Sequence, residues 1–171
     1  MDNRAERFRD LIEPFLDDAY TLARYLSRDS AVAEDIVQDA ALRAFRHLGT
    51  LRSRSETRAW LLKIVRNCFY SWREKVGRAN LEPLEAESWV DDSCNDLDPQ
   101  RILEQTLNQD AVRELIEELP VAFREALVLR EMNDLSYKEI AELTSQPIGT
   151  VMSRLARARG MLKKRWLERA L

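Results

Sequence analysis

Two hydroxyl side chains and two arginines lie close together near the C-terminus, at spacings that place them on one face of a helix. Thr150, Ser153, Arg154 and Arg157 are separated by three or four residues in most pairings, and such intervals share a helical face. Hydroxyl and guanidinium groups are the donors with which proteins bind phosphates and base edges, and arginine pairs with guanine through two hydrogen bonds. The segment therefore predicts a helix that reads duplex nucleic acid.

The residues around this helix predict a helix-turn-helix. Ser136 and Glu139 have the spacing of a capping box, which begins a short helix that runs to Leu143, and Pro147 suits the first turn of the next helix. An apolar stripe on that second helix is expected to face a core: Ile148, Val151, Leu155, Ala158, Leu162 and Trp166. In such motifs the second helix enters the major groove. An ordinary helical hairpin with a solvated basic face is the alternative.

The composition predicts an all-α protein made of two small helical domains. The chain has 171 residues, 45% hydrophobic and 33% charged, with only four glycines and five prolines, which favours helices over β-structure. No apolar run approaches a membrane span and the first ten residues lack a signal core, so we expect a cytoplasmic protein without membrane insertion.

The few cysteines and histidines predict that the chain binds no metal and no cofactor. One histidine and two cysteines cannot form a zinc site by themselves. Cys68 lies on an apolar helical face and is expected to be a small core residue. Cys94 lies in a polar stretch, where it is either a reactive thiol or an inert one.

Charge is distributed in three blocks, which also indicate the domain boundaries. Residues 1–80 carry 15 basic and 12 acidic side chains, residues 81–120 carry 2 and 12, and residues 121–171 carry 10 and 6. The local field of the two basic blocks, rather than the net charge of −3, governs attraction to phosphate. Residues 79–101 are acidic and aperiodic, and we predict a linker there between domains 1–78 and 102–171.

The helix predicted to follow Ser30 has an acidic face opposite its buried stripe. That face consists of Asp35, Gln38, Asp39, Leu42 and Arg46. A solvated surface and a docking surface for a basic partner both fit this composition.

A polar, arginine-rich loop, residues 49–58, precedes a helix predicted over residues 59–76. The outward face of this helix combines aromatic and polar side chains: Trp60, Lys63, Asn67, Tyr70 and Ser71. Aromatic rings stack unpaired bases, at about 1–3 kcal/mol each, while cations follow the backbone. The face therefore predicts a surface for single-stranded nucleic acid. The alternative is that Trp60 or Tyr70 packs against the first helix.

Three segments together resemble the bacterial RNA polymerase sigma factors. They are AEDIVQDAALRAF (33–45), RAWLLKIVRN (58–67) and LSYKEIAELTSQPIGTVMSRLARAR (135–159). A chain of two short domains is similar to the extracytoplasmic-function (ECF) group. The resemblance implies a non-enzymatic factor that directs core RNA polymerase to promoter DNA, with a separate anti-sigma protein as its regulator.

The resemblance also implies a role for each face. Reading of the −35 element as duplex is implied for Thr150, Ser153, Arg154, Arg157 and Arg159. Melting of the −10 element and capture of a flipped base are implied for Leu51, Arg52, Arg54, Trp60, Lys63 and Asn67. Docking on the clamp helices of the polymerase largest subunit is implied for Asp35, Gln38 and Asp39. The linker is implied to thread through the polymerase toward its RNA channel.

Two residues depart from the family pattern. Ser71 stands where an acidic residue is frequent, and Met152 stands where a basic one is frequent, so Met152 is expected to touch a thymine methyl group or cover a sugar. The alternative function is a two-domain helix-turn-helix regulator without a role in initiation, which would have no use for the faces around Asp35 and Trp60. An enzyme is disfavoured because the chain lacks nucleophile, metal-ligand and phosphate-loop motifs.

Overall fold

The computed structural model describes residues 3–76 and 109–170, and these ranges confirm the predicted pair of helical domains. The first range contains α1 (Asn3–Leu11), α2 (Leu16–Ser27), α3 (Ser30–Arg46) and α4 (Thr57–Val76). The second range contains α5 (Gln109–Glu117), α6 (Val121–Glu131), α7 (Tyr137–Thr144) and α8 (Ile148–Ala170). The predicted linker, with Cys94, lies outside the described residues. Within the described residues no helix combines the length and the hydrophobicity of a membrane span.

Local signals in the sequence explain where the helices of the first domain begin and end. Pro14 lies in a short 3-10 turn that separates α1 from α2, because proline cannot continue the interior of a helix. Arg28 has a left-handed φ of 60° after α2, and Asp29 Oδ1 then accepts a hydrogen bond from the backbone N–H of Val32 at 3.0 Å. This cap begins α3. Ser53 precedes the short 3-10 turn Arg54–Glu56 without capping it, and its hydroxyl lies 3.0 Å from that of Ser55.

The core of the first domain lies between α2, α3 and α4, which pack against one another. Small residues at the contacts, among them Ala23, Ala33 and Ala40, are buried and let the helices approach closely. Cys68 on α4 is 2% exposed, so its predicted place in the core is confirmed. Burial raises the pKa of its thiol to about 11, and the thiol is therefore neutral at physiological pH.

The two domains pack together through α6, which is buried almost all round. Residues 121 and 123–129 are all buried, and such a helix lies in an interior rather than at a surface. One side of α6 contacts α7 and α8 of its own domain, while the other contacts α2 of the first domain, and α4 contacts α7. Both domains thus share one continuous apolar core, an arrangement that the sequence left open.

Polar contacts reinforce this interface between the domains. The guanidinium of Arg24 pairs with the carboxylate of Glu117 at 2.8 Å. The side-chain amide of Asn133, which is 1% exposed, donates to the backbone oxygen of Asp18 at 3.1 Å. Since both links join α2 to the second domain, the described structure is a closed form of the chain.

Candidate nucleic-acid interface

Helices α7 and α8 form the predicted helix-turn-helix, and a capping box begins its first helix. The hydroxyl of Ser136 accepts a hydrogen bond from the backbone N–H of Glu139 at 3.1 Å, and the carboxylate of Glu139 accepts one from the backbone N–H of Ser136 at 2.7 Å. Both donors are otherwise unpaired at a helix start, so the reciprocal bonds fix where α7 begins. The predicted capping box is confirmed.

The turn between the two helices also follows the sequence. Ser145 adopts a left-handed φ of 55° and ends α7, and the backbone oxygen of Pro147 accepts from Thr150 N at 3.0 Å to begin α8. Four residues of the predicted stripe on α8 are buried: Val151, Leu155, Ala158 and Leu162. The second helix is therefore held by one face, and its other face is free to contact a groove.

The outward face of α8 combines the predicted polar residues with two exposed apolar ones. Ser153 is exposed, whereas Thr150 and Arg157 are half-buried. Met152 is 52% exposed, and Ile148 is 50% exposed. The prediction that Ile148 faces the core is wrong, because it is the first residue of α8 and projects beyond the helices that α8 packs against. The face offers hydroxyl and guanidinium donors beside two apolar side chains.

Arg159 is paired within the protein, and Arg154 lies near a buried carboxyl. The guanidinium of Arg159 pairs with the carboxylate of Glu131, at the end of α6, at 2.8 Å. Arg154 is half-buried, and it lies close enough to Glu125 for its charge to act on that carboxyl. To contact DNA, Arg159 must exchange Glu131 for a phosphate or a base, and its role there stays a prediction.

The loop before α4 places its arginines outward and its leucine inward. Arg52 and Arg54 are exposed, whereas Leu51 is only 9% exposed and belongs to the core. Burial of this apolar side chain anchors the start of the loop that carries the two arginines. The role of Leu51 in binding the −10 element stays a prediction.

A cavity of about 350 Å³ opens between this loop and the junction of α1 and α2. Its lining combines apolar and polar side chains: Asp10, Leu11, Pro14, Phe15, Arg54, Ser55 and Thr57. The hydroxyl oxygen of Thr57 is buried without a hydrogen-bond partner among the described residues. Apolar walls with a few polar groups suit a planar heterocyclic ring, so the cavity is a candidate site for an extruded base.

The face of α4 carries three of the side chains predicted to contact a single strand. Lys63 and Asn67 are exposed one turn apart. Trp60 is half-buried and packs against the core, which leaves part of the indole at the surface. The structure therefore brings these three residues to one side of the first domain.

Tyr70, on the same helix, forms a hydrogen bond to a residue of the second domain. Its hydroxyl donates to one oxygen of Glu125 at 3.4 Å, while the Nε of Arg66 donates to the other oxygen at 2.5 Å. The guanidinium carbon of Arg66 lies 4.7 Å from the centre of the Tyr70 ring. Burial raises the pKa of Tyr70 to about 12, and the charge of Glu125 adds to that rise.

The carboxyl of Glu125 is the central group of this contact. It is 2% exposed. Burial raises its pKa, while the positive charges of Arg66 and Arg154 oppose that rise. Two side chains of α4 therefore meet one buried carboxyl of the second domain.

The acidic face of α3 is open to solvent. Asp35, Gln38 and Asp39 are exposed around Leu42, which is 58% exposed. Asp39 is held by Arg43 in a two-point ion pair, with nitrogen–oxygen distances of 3.1 and 3.3 Å. An exposed leucine ringed by acidic and amide groups suits a partner that combines apolar and basic side chains.

Four polar residues that lie in the interior or at the contact between the domains were not identified from the sequence: Thr57, Arg66, Arg124 and Glu125. The signal for the last two was available, since an adjacent arginine and glutamate interrupt the apolar run of residues 121–129. Thr57 and Arg66 carried no such signal, because a threonine at a helix start and an arginine beside Asn67 are ordinary in an exposed position.

Two family descriptions match the described halves of the chain. Sigma-70 region 2 matches residues 11–79, and Sigma-70, region 4 matches residues 109–162. The first range includes α2, α3 and α4, and the second includes the helix-turn-helix.

Relatives and solved structures match most of the chain. It is 34% identical to the RNA polymerase sigma-H factor of Pseudomonas aeruginosa, over 80% of this chain and 74% of that protein. It is 33% identical to the ECF RNA polymerase sigma-E factor of Escherichia coli K12, over 82% of this chain and 76% of that protein. The fold is similar to the sigma factor RpoE of Bartonella quintana, solved with the anti-sigma factor NepR, with a TM-score of 0.70 and 28% identity over 91% of this chain and 96% of that one.

Proposed function

The chain belongs to the extracytoplasmic-function sigma factors, and from this premise we propose how its surfaces divide the work of starting transcription. The observation that carries the proposal is the match of both sigma regions, in order, to the two helical domains. It confirms the resemblance found in the sequence. A regulator without a role in initiation is not favoured, because such a protein has no use for sigma region 2.

The second domain reads the −35 element as intact duplex. In this proposal α8 enters the major groove with Thr150, Ser153 and Arg157 toward base edges and phosphates. A bidentate contact between an arginine and guanine gives about 1–3 kcal/mol of discrimination against other bases. Met152, exposed on the same face, contributes an apolar contact of the kind that thymine methyl groups accept.

The first domain captures the −10 element as separated strands. Unstacking a base from the duplex costs a few kcal/mol. Stacking of exposed bases on aromatic side chains and pairing of the backbone with cations offset that cost. The exposed loop arginines Arg52 and Arg54, with Lys63 and Asn67 on α4, line the path, and the cavity beside Arg54 receives an extruded base.

Core RNA polymerase and an anti-sigma protein are the proposed partners, and the proposed site of action is the cytoplasm, where core polymerase works. The acidic face of α3 docks on the clamp helices of the largest subunit. Polymerase supplies most of the nonspecific attraction to DNA, because a chain of net charge −3 attracts phosphate weakly by itself. Regulation by an anti-sigma protein is supported by the similar fold solved with NepR.

Run-off transcription with core polymerase and a library of genomic fragments tests the function. We expect the full chain to start RNA at a limited set of positions that share sequence near −35 and −10. Core polymerase without the chain serves as the control. Failure to start RNA from any fragment, with the chain folded and no inhibitor present, would overturn the proposal.

Thr57→Val tests the proposed base cavity, because valine keeps the shape of threonine and removes its hydroxyl. We expect the variant to be more stable than the parent by about 1 kcal/mol, since a buried hydroxyl without a hydrogen bond is unfavourable. We expect promoter opening to fall about fivefold, because the captured base loses that hydrogen-bond partner. Thermal unfolding and permanganate footprinting of the holoenzyme measure the two effects.

A variant that is more stable than the parent but opens promoters more slowly would show that the Thr57 hydroxyl serves a ligand rather than the fold. Ser27→Ala is the matched control, because Ser27 donates its hydroxyl to the backbone oxygen of Ala23 at 2.7 Å and lies away from the cavity. It is expected to lower stability slightly and to leave opening unchanged. An unchanged rate of opening in Thr57→Val would remove the cavity from the proposal.

A further inference from the structure

Arg66 and Tyr70 form a cation–aromatic pair on the helix that carries Lys63 and Asn67. The guanidinium of Arg66 stacks over the Tyr70 ring at 4.7 Å, and both residues lie within one turn of Asn67 on α4. A guanidinium beside an aromatic ring is the combination with which proteins hold single strands, because the cation binds the phosphate and the ring stacks the base.

The pair is occupied by an acidic group of the same chain. Both carboxylate oxygens of Glu125 accept hydrogen bonds, one from Arg66 at 2.5 Å and one from Tyr70 at 3.4 Å. Glu125 lies in the middle of α6, among buried apolar residues. A buried ion pair is a weak source of stability, since removing both charges from water offsets most of their attraction, and apolar residues of similar size often hold two helices as well. The contact therefore calls for an explanation other than stability.

We propose that Arg66 and Tyr70 bind a nucleotide of the melted promoter strand, and that Glu125 occupies their site as an internal competitor while the chain is closed. The inference rests on the proposed function. It adds a nucleotide site, formed by Arg66 and Tyr70, and names Glu125 as the residue that occupies it. The carboxylate of Glu125 stands where a phosphate oxygen would lie, and its hydrogen bonds hold Arg66 and Tyr70 away from a nucleotide.

The closed form covers the Arg66–Tyr70 site because Glu125 belongs to α6 of the second domain. The Arg24–Glu117 ion pair and the Asn133–Asp18 hydrogen bond hold the domains in this position. Separation of the domains therefore removes Glu125 from Arg66 and Tyr70, and the site becomes available to single-stranded DNA as the chain opens.

Binding of the full chain to a fluorescein-labelled 12-mer of deoxyadenosine tests the proposal, because stacking and phosphate contacts do not require a promoter sequence. We expect Glu125→Gln to raise the affinity about fivefold, since the amide loses the charge that holds Arg66. We expect Arg66→Ala and Tyr70→Ala each to lower it about fivefold or more. Tyr70→Phe, which keeps the ring and loses only the bond to Glu125, is expected to bind at least as well as the parent.

The proposal predicts opposite changes in DNA affinity for the two partners of the Arg66–Glu125 ion pair: a decrease for Arg66→Ala and an increase for Glu125→Gln. A contact that only joins the domains would open on either substitution, so Arg66→Ala and Glu125→Gln would then both raise the affinity, and the proposal would fail. Equal affinity of Glu125→Gln and the parent would also overturn it. Glu142→Gln, at an exposed position on α7, removes the same charge without a bond to α4 and is expected to change nothing. Far-ultraviolet circular dichroism verifies that each variant is folded.

Run-off transcription separates this inference from the function on which it rests. If the parent chain starts RNA with core polymerase and Arg66→Ala does so equally well, the nucleotide site is wrong and the sigma function stands. If the parent chain starts no RNA, the proposed function itself is wrong. A specific fall in promoter opening for Arg66→Ala and Tyr70→Ala, with Glu125→Gln unimpaired, supports both.

Discussion

Transcription from any promoter that the chain recognises is expected to fall about 100-fold or more when Asp35 and Asp39 are both replaced by arginine. Both carboxylates are exposed one turn apart on α3, so their reversal leaves the core of the first domain intact. Like charges placed across an interface cost several kcal/mol, and 2.8 kcal/mol corresponds to about 100-fold in affinity. The measurement is run-off transcription together with binding of the labelled chain to core polymerase.

Binding to a −35 duplex should be unchanged in the same variant, because α8 lies in the other domain. The matched control is Glu6→Arg/Glu13→Arg, which reverses two exposed carboxylates of the first domain that lie outside α3 and outside the lining of the base cavity. The new arginine at position 39 lies beside Arg43, and such an exposed like-charge pair costs only a few tenths of a kcal/mol. Equal loss of transcription in the control variant would show that net charge, rather than the acidic face of α3, governs docking.

The features that were predictable from the sequence are those fixed by a few neighbouring residues. The break at Pro14, the cap at Asp29 and the reciprocal bonds of Ser136 and Glu139 depend on atoms at most three residues apart, so a local pattern specifies them. The burial of Cys68 followed from its place on an apolar stripe. The helix-turn-helix and its outward polar face were predictable for the same reason.

The error at Ile148 arises because burial is decided by distant parts of the chain. Ile148 continues the apolar stripe of α8 and yet is 50% exposed. Periodicity identifies which residues share a face, but it does not say where a neighbouring helix ends. The burial of Leu51 in a loop between polar residues is likewise set by the rest of the fold, and no local pattern predicted it.

The packing of the two domains was the largest structural feature beyond local reasoning. Glu125 interrupts an apolar run, and a single helix with that pattern is expected to turn its charged residues to solvent. In the structure a second buried face on the same helix contacts α2, which no periodicity of α6 alone reveals. Polar residues on two sequence-distant helices, such as Arg66 and Glu125, then meet in an interior.

Arg124 is the buried group on which the closed form most depends. It is 1% exposed, and three backbone oxygens accept its guanidinium hydrogens: those of Glu117 at 3.0 Å, Leu119 at 2.6 Å and Leu26 at 3.2 Å. Leu26 and Glu117 lie in the last turns of α2 and α5. Carbonyls at helix C-termini lack partners within the helix and carry the negative end of its dipole. One cation thus satisfies the ends of two helices from different domains.

Arg124→Ala is expected to lower the free energy of unfolding by about 3–5 kcal/mol. The substitution leaves carbonyl groups of two helix ends buried without their donor, and it leaves a cavity where the guanidinium stood. Because Leu26 belongs to the first domain and Arg124 to the second, we also expect the radius of gyration to increase. Urea unfolding followed by circular dichroism measures the first effect, and small-angle X-ray scattering measures the second.

Arg130→Ala is the matched control on the same helix, because Arg130 is half-buried and makes one hydrogen bond, to the backbone oxygen of Leu135 at 2.9 Å, within its own domain. It stacks over Tyr137 as well, and we expect its removal to cost about 1–2 kcal/mol without a change in radius of gyration. Arg124→Lys keeps the charge but not the planar fork, so its loss should be intermediate. Equal losses for the two alanine variants would mean that the ends of α2 and α5 find other donors, and that the closed form does not rest on this arginine.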